Sequence, residues 1–353
     1  MKKKEKKKFK RKNIKLQNIE IDNLEKFEAE DLVEEKRAEK KIVEKSQISQ
    51  KSNLNLKTGR ILQVESNYKC RVKVAGSELI CTLGGRLKQV NYETRTLVSV
   101  GDFVNVNLSQ DPRIEKILPR KNALSRFSEE SFQKEIIIAS NIDQVIITAS
   151  YREPEISPGL IDRYICAAQI NNILPIICVN KIDLAECRED VKNKMKFYED
   201  TGFVIIYTSA KTGIGIDDLR EVLKNKETVF SGHSGAGKSS LINLLQPNID
   251  LEVAEISNYT GKGIHTTTSS QLIEWSFGGY LVDTPGIKTF GLHREDKVYL
   301  PLVFPGFSQY VDECKFNNCT HSHEVGCAVK KAVNDSKFPA ERYESYLRIF
   351  ESL

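Results

Sequence analysis

The chain has 353 residues, 40% of them hydrophobic and 29% charged, with 53 Lys and Arg against 48 Asp and Glu for a formal net charge of +5. That length supports two or three domains with proper cores, and that balance of apolar and charged residues excludes a fibrous or wholly disordered protein. No apolar run approaches the roughly 18 residues of a membrane-spanning helix, and no apolar segment follows the lysine-rich start to complete a signal peptide, so a cytoplasmic location with no membrane partner is expected.

The positive excess lies in residues 1–57, which hold 18 Lys and Arg against 11 Asp and Glu. Residues 1–12 form a polycation that can neutralise nucleic-acid phosphates without reading sequence, or serve as a solvated arm, and little order is expected in this tail. From residue 58 to 119 the pattern changes to short alternating runs at 59–64, 68–74, 78–83, 102–108 and 113–118, separated by glycine and polar turns. These predict a small closed barrel of the oligonucleotide-binding (OB) type, with an SH3-like barrel as the look-alike. Arg60, Lys69, Arg71, Lys73, Arg86, Lys88 and Arg95, with Tyr68 or Tyr92 for stacking, are either RNA contacts or solvated charge on outward strand positions. Residues 120–135 are polar and without period, and read as a linker.

An α/β domain is expected over 136–296. The apolar runs 144–149, 174–179 and 203–207 alternate with helical stretches at 157–171, 190–200 and 216–224. Continuously apolar strands separated by helices imply a mostly parallel sheet covered on both faces. Two motifs stand at strand ends, where such sheets bind ligands. Asn180-Lys181-Ile182-Asp183 offers a carboxylate that can accept from N1–H and the 2-amino group of guanine, an edge adenine lacks. Ser209-Ala210-Lys211 follows the next strand and completes a guanine pocket.

The next apolar run, 228–230, leads into Gly232-His233-Ser234-Gly235-Ala236-Gly237-Lys238-Ser239, with Ser240 beginning a helix. Strand, glycine-rich loop and helix in that order cradle a polyphosphate on inward N–H groups and the positive helix end. Lys238 reaches the β- and γ-phosphates and Ser239 ligates Mg²⁺; the His233 side chain is given no role. The polar segment 258–268 can add a hydroxyl to the Mg²⁺ shell, assigned to Thr267 among Thr266, Thr267 and Thr268. Strands at 271–275 and 280–282 run into Asp283-Thr284-Pro285-Gly286, where Asp283 holds Mg²⁺ through water and the Gly286 N–H meets the γ-phosphate. Cys314, Cys319, His321, His323 and Cys327 then crowd into one short stretch, a donor set suited to tetrahedral Zn²⁺ in a reducing compartment. The other cysteines, Cys70, Cys81, Cys166, Cys178 and Cys187, are scattered and read as core or surface thiols. In the closing helix, Tyr343, Tyr346, Leu347 and Phe350 share one stripe, read as a docking surface within the protein.

The motifs are those of a GTPase, but the base-recognition elements precede the phosphate loop, which makes the order a circular permutation of the Ras-like one. With the barrel before and the cysteine cluster after, the sequence resembles the circularly permuted, ribosome small-subunit-dependent GTPases of bacteria over roughly residues 58–350. The resemblance implies a permuted P-loop GTPase domain preceded by an OB-type barrel and followed by a helical zinc-binding domain at 297–353. It assigns one zinc ion to Cys314, Cys319, His321 and Cys327, with His323 the substitute ligand. It further implies a monomer that binds the small (30S) ribosomal subunit and its rRNA in a late step of maturation, with hydrolysis stimulated by the subunit and driving release. Ile287 stands where many Ras-like GTPases use glutamine to orient water; by resemblance His265 takes that catalytic role, the alternative being that it only orders its loop. Two other readings are a related permuted GTPase of the large subunit and a non-enzymatic RNA-binding scaffold with a structural nucleotide site.

Overall fold

The computed structural model describes residues 56–65, 69–88, 97–108, 111–127, 135–247, 270–283 and 291–353. The basic tail, and the expectation placed on it, lies outside them. The first described elements are β1 (Leu56–Val64), β2 (Cys70–Val74), β3 (Ser77–Leu83), β4 (Phe103–Asn107) and β5 (Arg113–Ile117). They pair in the order β1-β2-β3-β5-β4, and β4 returns to β1. That is the closed Greek-key order of an OB barrel. Its alternating apolar positions, among them Ile61, Val72, Val74, Val104, Val106 and Ile114, point inward and form a core of their own.

The segment read as a linker contains a strand: β6 (Ala123–Phe127) pairs antiparallel with β7 (Glu135–Ser140). Beyond it, β8 (Gln144–Ser150), β9 (Leu174–Asn180), β10 (Val204–Tyr207), β11 (Glu227–Gly232), β12 (Gln271–Glu274) and β13 (Tyr280–Asp283) form a sheet of order β10-β9-β8-β11-β13-β12. All neighbours in it are parallel except β12 against β13. Every residue of β8 is buried, which explains its unbroken apolar run. Alternate residues serve opposite faces. Ile146, Cys178 and Phe230 meet Leu219 and Leu223 of α3 (Ile216–Leu223) and Leu241 and Leu245 of α4 (Lys238–Leu245). Val145, Ile147, Ile177 and Val179 meet Ile161 and Ile165 of α1 (Pro158–Ile170) and Met195 and Tyr198 of α2 (Arg188–Asp200).

The barrel and this sheet are continuous, because the free edge of β12 pairs with β1 at Gln63 and Gln271. Polar groups staple the seam. Arg60 of β1 pairs with Glu227 at the start of β11, with its guanidinium 4.7 Å from the Phe103 ring centre and 5.4 Å from that of Tyr280. Lys73 of β2 pairs with Glu274 of β12 at 2.5 Å. Two of the cations considered as RNA contacts are therefore committed inside the protein. Next to the seam, the fully buried Asp102 carboxylate accepts from Arg120 at 2.6 and 2.7 Å, from the Ser99 N–H at 2.8 Å and from Ser140 Oγ at 2.7 Å. Both oxygens are satisfied, as a buried charge requires.

The C-terminal part packs on α1. Helices α5 (Leu300–Val303), α6 (Ala328–Asn334) and α7 (Ala340–Ser352) contribute Leu300, Val329 and Tyr346 to the same core as the sheet's α1 face. The stripe of α7 is used as expected: Tyr346 is fully buried, and Tyr343, Leu347 and Phe350 pack around it. One polar knot lies in this apolar contact. Asp162 of α1 accepts from Arg342 at 3.0 Å, Ser345 Oγ at 2.6 Å and Tyr198 Oη at 2.7 Å. Burial still holds the Asp162 carboxyl above its ordinary range, against the opposing pull of Arg342.

Removing the cation would leave Asp162 buried and uncompensated, so Arg342→Met is expected to lower unfolding free energy by about 3–5 kcal/mol in urea denaturation. A carboxyl whose native pKa is raised loses stability as pH climbs above its unfolded value, so this deficit should be smallest in acid and grow toward neutrality.

Candidate active site

The phosphate loop hangs between β11 and α4. Gly232 ends β11 at φ +138°, and a Cβ there would fall 2.0 Å from the Thr148 carbonyl of β8. Gly237, at φ +90°, passes so close to Asn180 that a Cβ would lie 2.3 Å from its Nδ2. Only glycine tolerates both the conformation and the approach. The Asn180 amide uses that space to donate to the Ala236 carbonyl at 2.9 Å. Lys238 opens α4, and its ammonium donates to the carbonyls of Gly232 and His233, each at 2.9 Å, which holds the charge across the mouth of the loop. Ser239 and Ser240 follow in the first turn of α4, where the orphan N–H groups and helix dipole favour an anion.

The base-recognition motifs converge on the same place. Asn180 ends β9, and its Oδ1 accepts from the Ala210 N–H at 3.1 Å and from Thr208 Oγ1 at 3.3 Å. Lys181 adopts a left-handed conformation at φ +60°, which ends the strand and sends the chain into the short turn Ile182–Leu184; its ammonium donates to the Glu153 carbonyl. Ser209 Oγ donates to Asp183 Oδ1 at 2.6 Å and accepts from the Thr212 N–H at 3.2 Å, which fixes the rotation of the carboxylate. Lys211 is exposed beside them. Thr208 and the Glu153 carbonyl were not legible as site residues. The first carries a signal only by adjoining Ser209, and a backbone carbonyl carries none.

Asp283 closes β13, next to β11 in the sheet, and its Oδ2 accepts from Gln271 Nε2 at 3.3 Å. His265, Thr267, Gly286 and Ile287 lie outside the described residues, as do Tyr68, Tyr92 and Arg95 and the side chains of Arg86 and Lys88.

In the C-terminal part, the ligand atoms of Cys314, Cys319, His321 and Cys327 all lie within 4.8 Å of one another. His321 Nδ1 is 3.6 Å from Cys314 Sγ and 3.5 Å from Cys327 Sγ, and the ring also hydrogen-bonds the Pro301 carbonyl, the kind of second contact that orients a metal-bound imidazole. The N–H groups of Ala328 and Lys330 point at Cys314 and Cys327 Sγ at 3.3 and 3.4 Å, suited to stabilising thiolates. Burial lowers the pKa of His321 and raises that of Cys319, the cost of gathering such groups without a cation. The set therefore fits one tetrahedral ion of the zinc type. His323 is exposed and turns to Ser322 Oγ at 2.9 Å. Tyr343 Oη of α7 donates to the His321 carbonyl at 2.7 Å and Tyr346 Oη to that of Thr320, so the closing helix shapes the ligand loop.

Known proteins are similar to this chain. A family model described as RsgA GTPase matches residues 117–293. A small ribosomal subunit biogenesis GTPase RsgA of Flavobacterium psychrophilum is 36% identical over 301 residues, spanning 83% of this chain and 92% of the relative. The protein of the same name from Chlorobaculum parvum is 41% identical over 271 residues, 74% of this chain and 87% of the relative. Among solved structures, YjeQ from Thermotoga maritima superposes with a TM-score of 0.66 at 31% identity, covering 84% of this chain and 98% of that one. YloQ, described as a circularly permuted GTPase, gives 0.65 at 27% identity, covering 86% and 97%. The permuted motif order, the assembled site and these relatives agree: the chain belongs to the RsgA family of circularly permuted GTPases.

Proposed function

We propose that this GTP-hydrolysing enzyme of small ribosomal subunit biogenesis acts late in the subunit's maturation, binds it in the GTP form, is stimulated by it and leaves after hydrolysis. The observation that carries the nucleotide part of this reading is Asn180, whose amide joins the phosphate loop at Ala236 to the guanine-side loop at Ala210. Asp183, with its carboxylate fixed by Ser209, selects guanine. Lys238 and the loop N–H groups hold the phosphates. Ser239, Asp283 through water and a threonine assigned as Thr267 hold Mg²⁺, which supplies charge neutralisation when GTP is bound. Cys314, Cys319, His321 and Cys327 hold one Zn²⁺ that stabilises the C-terminal domain. His265 orients the attacking water, since Ile287 has no group that can. The protein works as a monomer in the cytoplasm and touches rRNA; among the described residues no helix is long and apolar enough to cross a membrane.

GTP turnover measured with purified small subunits, large subunits or neither is the direct test. Small subunits alone should raise the rate at least ~10-fold, the scale of partner-supplied GTPase stimulation or below it, and His265→Ala should lose most of that gain. Equal stimulation by large subunits, or by neither, would sink the proposal.

Replacing Asp183 by Asn keeps one acceptor oxygen for the guanine N1–H but turns the other into a donor facing the 2-amino group. GTP affinity should fall on the order of 100-fold, about 3 kcal/mol for two charged hydrogen bonds, and xanthosine triphosphate, whose edge offers an acceptor there, should bind better than GTP. Titration of a fluorescent nucleotide by each competitor measures both.

Elemental analysis of the purified chain should find one zinc per molecule. Cys327→Ser should reduce it and lower the thermal midpoint by roughly 5 °C or more, because binding energy at such a site is folding energy.

A further inference from the structure

Strand β12 is the crossing point between barrel and nucleotide sheet, and its first residue has a consequential neighbour on each side. Gln271 stands opposite Asp283 on β13 and opposite Gln63 on β1. Its Nε2 donates to Asp283 Oδ2 at 3.3 Å, so the carboxylate assigned to Mg²⁺ is steered by a side chain on a strand that the barrel holds. The far end of β12 is gripped as well. Glu274 pairs with Lys73 of β2, its carbonyl accepts from Gln246 Nε2 at 3.1 Å, and Gln246 Oε1 accepts from the Ser276 N–H at 2.8 Å. Gln246 caps α4, the helix that Lys238 opens. A tilt of β12 with the barrel therefore acts on Asp283 at one end and on the phosphate-loop helix at the other.

We propose that Gln271 is a positioning residue: it sets the rotation of the Asp283 carboxylate according to the lie of the barrel, so that barrel movement on the ribosomal subunit changes how tightly Mg²⁺ is held with GTP. This rests on the proposed reading that Asp283 serves the Mg²⁺ of bound GTP and that the chain binds the subunit, and it takes the barrel as the part that meets it. An N–H donated to one carboxylate oxygen would leave the other for a bound metal, and such outer contacts are worth on the order of 10-fold in metal affinity. Leucine at this position would release the carboxylate. Glutamate would place a second negative charge against it and distort it further.

The test is a Mg²⁺ titration of fluorescent GTP-analogue binding to the full-length chain, with and without small subunits, for the native protein, Gln271→Leu and Gln271→Glu. The Mg²⁺ midpoint should rise roughly 10-fold in Gln271→Leu and further in Gln271→Glu. GDP affinity in EDTA, which needs no Mg²⁺, should stay near native in both and so separates positioning from general damage. Subunits should shift the midpoint of the native chain and not of the variants. A native midpoint in Gln271→Leu, or equal midpoints in the two variants, would overturn the positioning role. Absence of any subunit effect on native turnover and midpoint would instead overturn the functional reading, while the variant midpoints without subunits would still judge Gln271.

Discussion

Everything in the nucleotide site depends on one buried amide. Asn180, 1% exposed, gives both ends of its side chain to different motifs: Nδ2 to the phosphate loop at Ala236, Oδ1 to the base loop at Ala210 and Thr208. An amide carries a donor and an acceptor on one rigid plane, so the two loops are held at a fixed separation. A carboxylate there would have no proton for Ala236, and an aliphatic side chain would strand buried polar groups at a cost of 1–3 kcal/mol each. The missing Cβ of Gly237 is the other half of the arrangement, because any side chain would displace the amide.

The two attached modules meet the nucleotide domain to different extents. The C-terminal part shares an apolar core with α1, in which Phe304, Phe307 and Tyr346 are buried with Ile161 and Ile165. Separating it would expose that surface and the Asp162–Arg342 pair together, so it behaves as an extension of α1. The barrel keeps a core of its own, lends Leu62 and Val100 to the core under α1, and meets the sheet through the β1–β12 pairing and the Arg60–Glu227 and Lys73–Glu274 contacts. The Lys73–Glu274 pair is partly exposed and exchanges readily for water, whereas Arg60 and Glu227 are largely buried and would be stranded by separation.

Much of this was legible in the chain because its signals are local. The phosphate loop needs its glycines within a few residues, Asn180 and Asp183 sit in one tetrapeptide, and the unbroken apolar runs of β8 and β9 announce a sheet buried on both faces. The barrel's inward alternation was equally visible. The seam was not, because pairing Gln63 with Gln271, Arg60 with Glu227 and Lys73 with Glu274 joins residues some two hundred positions apart, and a surface-type arginine on a strand looks the same whether it faces rRNA or a carboxylate of its own chain. Strand β6 was missed for a related reason: its mixed residues form a strand only because Ile136 and Ile137 of β7 lie across from Arg126 and Ser125.

The permutation explains why both modules hang where they do. In this chain α3 is joined to β11 by the turn at Lys224, Asn225 and Lys226. Asn225, at φ +57°, donates its N–H to the Gly278 carbonyl, while the Lys226 N–H donates to the Leu223 carbonyl and the Lys226 carbonyl accepts from the Tyr280 N–H. That turn closes the sheet locally and leaves the chain open at β8 on one side and after β13 on the other. The barrel is thus spliced in ahead of β8 and returns to pair with β12, while the chain leaving Asp283 runs on toward the cysteine cluster. β12 and β13 flank the very residues that carry Mg²⁺ in the proposed mechanism. An unpermuted chain would have placed its free ends at the Asn225 turn, at the end of the sheet remote from the phosphate loop; here the chain enters β8 at that same end and leaves β13 at Asp283, on the phosphate-loop side.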